Sequence, residues 1–323
     1  MQSVKPMANR FLALGCAAVM SAYGSAALAA DVVIGVPNWP SVQATAHVLK
    51  VALENNLDVE VELQDGSNKA VFEAIDAGTM HVHPEAWLPN LDHLKRQYVD
   101  GKKTIKLNPS GASGTQAMCV TKGTAERTGI KELKELRNPE MAKKFDTDGD
   151  GKGDIWIGAD GWGSTPIEQV RAKSYGYDKT MTLKIMEEDA ALAEVEKAVA
   201  EDKNIVFFCY TPHHMFVVNE LVVLEEPAYD STKWIIVQPS PTPGWFEKSS
   251  AGVAWDTANL NIGYAASLES DHPKVAAMLN NVSLDTDTLS AMTYALSVEN
   301  KDPSEFAKAW VEENADTVSG WFQ

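Results

Sequence analysis

Short apolar runs alternate with amphipathic stretches along the N-terminal part of the chain. Val32–Val36 is an apolar run that predicts a strand, and Ser41–Glu54 carries its apolar residues at helical spacing. Val59–Leu63 alternates as a second strand would, Lys69–Ala77 predicts a helix ending at Gly78, and Met80–His83 predicts a third strand. This βαβαβ order implies a parallel sheet with crossover helices. The stretch Ser110–Gly114 is rich in Gly and Ser, precedes the strand Gln116–Val120, and reads as a hinge.

Beyond the hinge the alternation repeats. Strands are expected at Ile155–Gly158, Met181–Met186 and Ile205–Tyr210, with helices at Thr165–Tyr175 and Ala190–Glu201 between them. A strand over Tyr264–Leu268 is expected to return the chain to the first half, and helices from Pro273 onward complete it. Pro239–Gly252 predicts no element. The expected fold class is α/β in two lobes, each a mainly parallel sheet flanked by helices. Residues 31–112 with about 264–323 would form lobe I, and about 113–263 lobe II.

Residues 1–30 read as a targeting segment. Lys5 and Arg10 precede the apolar stretch Phe11–Ala22, and Ala27-Leu28-Ala29-Ala30 supplies small residues for cleavage before Asp31. No later segment reaches ~18 uninterrupted apolar residues, so an exported, soluble chain is expected. The residues before Cys16 fit a lipid-attachment motif poorly, and no lipid anchor is expected. The whole chain has 28 basic and 45 acidic side chains. Removing residues 1–30 takes Lys5 and Arg10 and no acid, leaving 26 against 45, a net charge of −19. Such a surface repels nucleic acid and anionic lipid. Of the two remaining cysteines, Cys119 and Cys209, each lies in an apolar run. Buried free thiols are the preferred reading, with a disulfide left open.

Tryptophan narrows the chemistry. The chain has nine, and three of them sit in turn-rich sequence near the ends of expected strands: Trp39 in Pro37-Asn38-Trp39-Pro40, Trp87 in Glu85-Ala86-Trp87-Leu88-Pro89, and Trp162 between Gly161 and Gly163. In α/β proteins such ends converge on a ligand crevice. Several indole faces in one crevice suit a cationic, poorly hydrated group such as a methylated ammonium. Thr165 and Glu168 have capping-box spacing, and Pro166 stands where a first helical residue would. Gly163 and Ser164 would then offer amides at a helix N-terminus, where negative charge is favoured.

Three motifs in order, Ala86-Trp87-Leu88-Pro89, Asp160-Gly161-Trp162-Gly163 and Cys209-Tyr210-Thr211-Pro212, resemble those of extracytoplasmic binding proteins of ABC importers for glycine betaine and its relatives. The resemblance runs from about Asp31 to Gln323. It implies a periplasmic-binding-protein fold, type II-like, with ligand between the lobes, and a monomer that serves an inner-membrane ABC permease from the periplasm. It also implies an aromatic box of Trp87, Trp162 and Tyr210, to which Trp39 is added by similarity to choline-binding relatives. Two positions depart from the enteric glycine betaine binders: Leu91 stands where they have a carboxylate-holding His, and Ser164 where they have Cys. These departures rank trimethylamine N-oxide ahead of glycine betaine, with choline third. Gly163 and Ser164 would meet the ligand oxygen, and Glu85 would act as an electrostatic partner.

Asp146, Asp148, Asp150 and Asp154, with Gly151 and the carbonyl of Lys152, reproduce the first part of a calcium loop. The twelfth position is Ile157, so the bidentate Glu is missing, and a structural Ca2+ is the expected occupant, with no catalytic cofactor. His81, His83, His213 and His214 leave a zinc receptor conceivable, but they lack metal-ligand spacing. A secreted hydrolase is the remaining alternative; no nucleophile elbow, His-Glu-x-x-His or phosphate loop occurs, and the expectation is a binding protein, not an enzyme. The pairs Glu187-Glu188 and Glu225-Glu226 read as solvated faces or turns.

Overall fold

The computed structural model describes residues 1–2, 30–237 and 243–323. The targeting segment read in residues 1–30 therefore lies almost wholly outside the described residues, as does part of Pro239–Gly252. The N-terminal half-sheet forms as its pattern dictates. Strands β1 (Val32–Val36), β2 (Val61–Asp65) and β3 (Val82–Leu88) are linked by helices α1 (Pro40–Asn56) and α2 (Asn68–Ala77). β1 lies parallel to both neighbours, with Val32 opposite Val61 and Ile34 opposite Val82. Pro40 at the first helical position opens α1, which is buried on more than one side and packs both on β1–β3 and on the C-terminal helices Thr286–Ser297 and Pro303–Glu313. Ser67 caps α2 by accepting the amide of Ala70, and Gly78 ends it in the left-handed conformation.

The remaining strands are β4 (Ile105–Leu107), β5 (Ala112–Thr121), β6 (Gly153–Trp156), β7 (Met181–Lys184), β8 (Val206–Thr211), β9 (Leu221–Val223), β10 (Trp234–Ile235), β11 (Ser250–Ala251) and β12 (Ala258–Ala265). The main sheet runs β2-β1-β3-β12-β5-β8-β6-β7, with β4 on β12 and β9 on β5. β6 pairs parallel with β7 and β8, giving each half a parallel core. Two antiparallel strands join the halves. β5 pairs with β12 at Gly114–Ala258 and, one residue later, with β8 at Thr115–Thr211. A Cβ on Gly114 would lie 2.9 Å from the Trp87 ring and 2.7 Å from the Thr211 carbonyl, so this crossing point tolerates only glycine.

Three expectations are corrected. β3 extends through Trp87 rather than stopping at His83, because β12 pairs along it with Leu260 opposite Trp87. β12 itself begins at Ala258, before the expected Tyr264. Cys119 and Cys209 form a disulfide instead of remaining free thiols. The β5–β8 register sets Ala117 opposite Cys209 and Cys119 opposite Phe207, which makes the cysteines diagonal neighbours with Cα atoms 5.8 Å apart, within bridging reach.

Candidate functional site

Trp39, Trp87, Trp162 and Tyr210 come together around one hollow between the two halves. Trp39 follows β1 and leads into α1, Trp87 lies on β3, Tyr210 on β8, and Trp162 precedes the helix Ser164–Tyr175. Successive rings meet edge to face. Trp39 and Trp162 have centroids 6.4 Å apart at 83°, Trp162 and Tyr210 5.8 Å at 88°, and Tyr210 and Trp87 5.5 Å at 87°. Perpendicular contacts of this kind hold aromatic walls at fixed angles. Phe208 and Leu91 complete the apolar lining, and Asn68, Asn90, Gln116, Gly163 and Ser164 supply the polar part.

The polar edges of all four rings point away from the hollow. The indole N–H groups of Trp39 and Trp87 both donate to Oε1 of Glu85, at 2.8 and 2.7 Å, and Ser41 donates to the same oxygen at 2.7 Å. The Tyr210 hydroxyl donates to Glu188 Oε1 at 2.7 Å, and the Trp162 N–H to the Asn38 carbonyl at 3.1 Å. What faces the interior is therefore aromatic surface with no free donor of its own, which suits a methylated cation. Burial pushes the Glu85 carboxyl up to about 7, against the lowering effect of its three donors. Burial and the Glu188 charge raise the Tyr210 phenol well above its ordinary range.

Glu85 thus stands behind the rings instead of lining the hollow. Residues 83, 85 and 87 alternate along β3 and project to the same side, which brings Glu85 beneath its neighbour's indole. Gly163 and Ser164 do line the hollow, carrying the first amides of a helix, which have no acceptor within it. The capping box does not form. The helix starts at Ser164, Thr165 donates to the Ala159 carbonyl at 2.6 Å, and Glu168 is buried against Arg171 and Trp255.

Contacts across the gap hold the halves together. Besides the Trp162–Asn38 bond, Asn38 donates to Glu187 at 2.6 Å and Asn68 to the Gly161 carbonyl at 3.3 Å. A Cβ on Gly163 would come within 2.8 Å of Leu91, so glycine permits this approach. Asn90 and Gln116 exchange reciprocal amide bonds of 2.7 and 3.0 Å beside the hollow. Asn68, Asn90, Gln116, Phe208 and Glu188 were not legible as site residues, because nothing local sets them apart from ordinary loop and core positions. Glu188 and Glu226 correct the reading of their pairs as solvated. Glu188 is buried under Tyr210 with His213 Nε2 3.1 Å away, and Glu226 is held by Arg171 at 2.5 Å.

The acidic loop is separate from the hollow. Asp146, Asp148 and Asp154 bring carboxylate oxygens within 4.8 Å of one another, a donor set of hard oxygens that fits calcium. Asp150 is outside that trio and accepts the Lys152 amide at 2.7 Å. Asp146 is oriented by the amides of Gly149 and Gly151, at 2.6 and 2.9 Å, which hold its carboxyl below the ordinary value. Ile157, in the twelfth position, is buried. His81 accepts the Val33 amide at 2.9 Å and His83 pairs with Asn68 at 3.0 Å, while the rings of His213 and His214 lie against each other with centroids 4.2 Å apart. Among the described residues no helix is long and apolar enough to cross a membrane.

Comparison with known proteins gives a consistent picture. The family described as the substrate binding domain of ABC-type glycine betaine transport system matches residues 30–313. The glycine betaine-binding periplasmic protein OusX of Dickeya dadantii (strain 3937) is 23% identical over 244 residues, 73% of this chain and 71% of its own. A glycine betaine/proline betaine-binding periplasmic protein of Salmonella typhimurium is 24% identical over 259 residues, 77% and 76%. Among solved structures, an ABC-transporter choline binding protein in complex with choline superposes with a TM-score of 0.72 at 19% identity, covering 90% of both chains. Lactococcal OpuAC, closed and complexed with glycine betaine, gives 0.68 at 20% identity, covering 90% of this chain and 99% of its own.

Proposed function

The chain belongs to the family of substrate-binding domains of ABC-type glycine betaine transport systems, and from that premise we propose that it captures a small methylated ammonium osmolyte in the periplasm, as a monomer, and delivers it to an inner-membrane ABC permease. The family and its curated relatives are substrate-binding proteins, not enzymes. The hydrolase and zinc-receptor alternatives give way on that ground.

One observation carries the reading of the site: four aromatic rings wall a single hollow and turn every N–H and O–H outward. Each desolvated cation–π contact is worth ~1–2 kcal/mol, so four rings supply ~4–8 kcal/mol. A charge-assisted hydrogen bond from the Gly163 or Ser164 amide adds ~1.5–3 kcal/mol. Together they reach the ~8 kcal/mol that micromolar binding needs, with part of the total spent on closing the lobes.

The proposed ligand order is trimethylamine N-oxide, then glycine betaine, then choline. Leu91, apolar and 2% exposed, lines the wall and offers a carboxylate nothing. Calorimetry with the three compounds tests this order. Micromolar binding with trimethylamine N-oxide tightest is expected; failure of all three to bind overturns the reading.

The acidic loop is proposed to hold a structural Ca2+ through Asp146, Asp148 and Asp154 with the Lys152 carbonyl. Its role would be to neutralise converging carboxylates, away from the transport site.

A further inference from the structure

Glu85 is a buried carboxyl that meets hydrogen-bond donors but no cation. Its side chain is buried, Oε1 accepts three hydrogen bonds from Trp39, Ser41 and Trp87, and Oε2 is buried with no partner. Three donors converging on one oxygen favour the ionised form. Yet among the described residues the groups packed around it include no cation. Trp39 stands just before α1, α1 contributes Ser41 and Thr45, β3 contributes His83 and Trp87, and Leu260, Ile262 and Leu289 close the far side with the uncharged Asn108 and Ser110. His83, whose Nδ1 accepts the Glu85 amide, is kept neutral by burial, which pushes it down to about 3. Tyr210, the neighbour of Trp87, feels the charge of Glu85 and keeps its proton. The other carboxylate at the cage, Glu188, is on the opposite side behind Tyr210 and would repel a second negative charge.

We infer that Glu85 is the counter-charge of the caged cation: a positioning residue that never touches the ligand, orders the rings of Trp39 and Trp87 through their N–H groups, and gives up its proton when a quaternary nitrogen fills the hollow. The inference rests on the proposed function and deepens it. In the empty cage the carboxyl is buried among uncharged groups and is stable as the neutral acid near and below neutrality, since burial lifts it to about 7. A fixed positive charge on the ring faces of the two indoles, whose N–H edges Glu85 holds, favours the carboxylate. The O–H bond of Glu85 then breaks, its electron pair stays on the carboxylate, and the proton leaves to solvent. Donation of two indole N–H groups to an anion also enriches the ring faces in electron density, which strengthens their grip on the cation. The cage therefore selects ligands by the permanent charge on nitrogen as well as by methyl shape. Linkage requires affinity to be flat above the carboxyl's own value and to fall below it.

The test is calorimetry on the intact protein with tetramethylammonium and glycine betaine, neither of which titrates between pH 6 and pH 9. Each pH is measured in two buffers of different ionisation enthalpy, which counts protons. Wild type should release close to one proton per ligand at pH 6 and none at pH 9, with affinity falling about tenfold from pH 8 to pH 6. Glu85→Gln keeps an acceptor for the indoles and loses the charge. It should bind at least tenfold more weakly at pH 8, release no proton and show no pH dependence. Wild-type binding without proton release overturns the inference, as does proton release that survives in Glu85→Gln. If wild type binds neither compound at any pH, it is the proposed function that fails.

Discussion

Trp39 and Trp87 donate their indole N–H groups to one and the same oxygen, Oε1 of Glu85, at 2.8 and 2.7 Å. A residue between β1 and α1 and a residue of β3 are thereby locked to a common anchor, and their faces are set before any ligand arrives. Preorganisation of this kind lowers the cost of binding.

Removing a wall of the cage should remove affinity and leave the fold. Trp87→Ala and Trp162→Ala are each expected to weaken ligand binding at least tenfold, the equivalent of one desolvated cation–π contact, with unchanged far-ultraviolet circular dichroism. Unaltered affinity in either variant would take that ring out of the site.

Tyr210→Phe separates ring from hydroxyl. The aromatic face remains, but Glu188 loses the hydroxyl that donates to it at 2.7 Å. Stability is expected to fall by ~1–3 kcal/mol, because a buried acceptor is left with fewer partners, while affinity changes only a few-fold. Urea unfolding and calorimetry on the same variant check both halves.

Glu85 also predicts how the ligand-free protein responds to pH. Its folded value, about 7, lies above the ordinary 4.5. The stability linked to its proton is therefore fully present below about 4.5 and is lost as pH rises through about 7. Glu85→Gln should not share this loss. Relative to wild type it should gain up to ~3 kcal/mol between pH 4.5 and pH 8, at 1.36 kcal/mol per unit. Parallel stability–pH curves for the two proteins would contradict this.

Calcium should raise the melting temperature by several degrees, and a chelator should reverse the gain, since an ion that binds only the folded loop stabilises it by mass action. Asp146→Asn should abolish the response, because Asp146 belongs to the converging trio. A melting temperature indifferent to chelator would remove the ion from the loop.

Reducing the Cys119–Cys209 bond, which spans 90 residues, should cost ~2–5 kcal/mol of stability. The bond ties the crossing strand β5 to β8, the strand that carries Tyr210, so ligand affinity measured in reductant should fall along with the melting temperature.

Much of this molecule was legible in one dimension. Periodicity located β1, α1, β2 and α2 because each buries a face whose pattern is local. Tryptophans next to Pro and Gly pointed to rings that the fold gathers around one hollow, because large rings in turn-rich sequence seldom serve a core. Partner choice between distant strands was not legible. Whether β5 bonds to β12 or β8, and so whether Cys119 meets Cys209, depends on register between segments far apart in the chain. Glu188 looked like one of many acids in an acidic chain until its burial beneath Tyr210 was seen. Glu85 could be read as a charge near the three-tryptophan cluster, but only the packing of Trp39 and α1 against β3 shows three donors on one oxygen and the other oxygen alone. Sequence determines which surfaces must be hidden from water; the tertiary structure decides which hidden groups face each other, because long-range pairing is selected by the fit of the whole fold and not by neighbours along the chain.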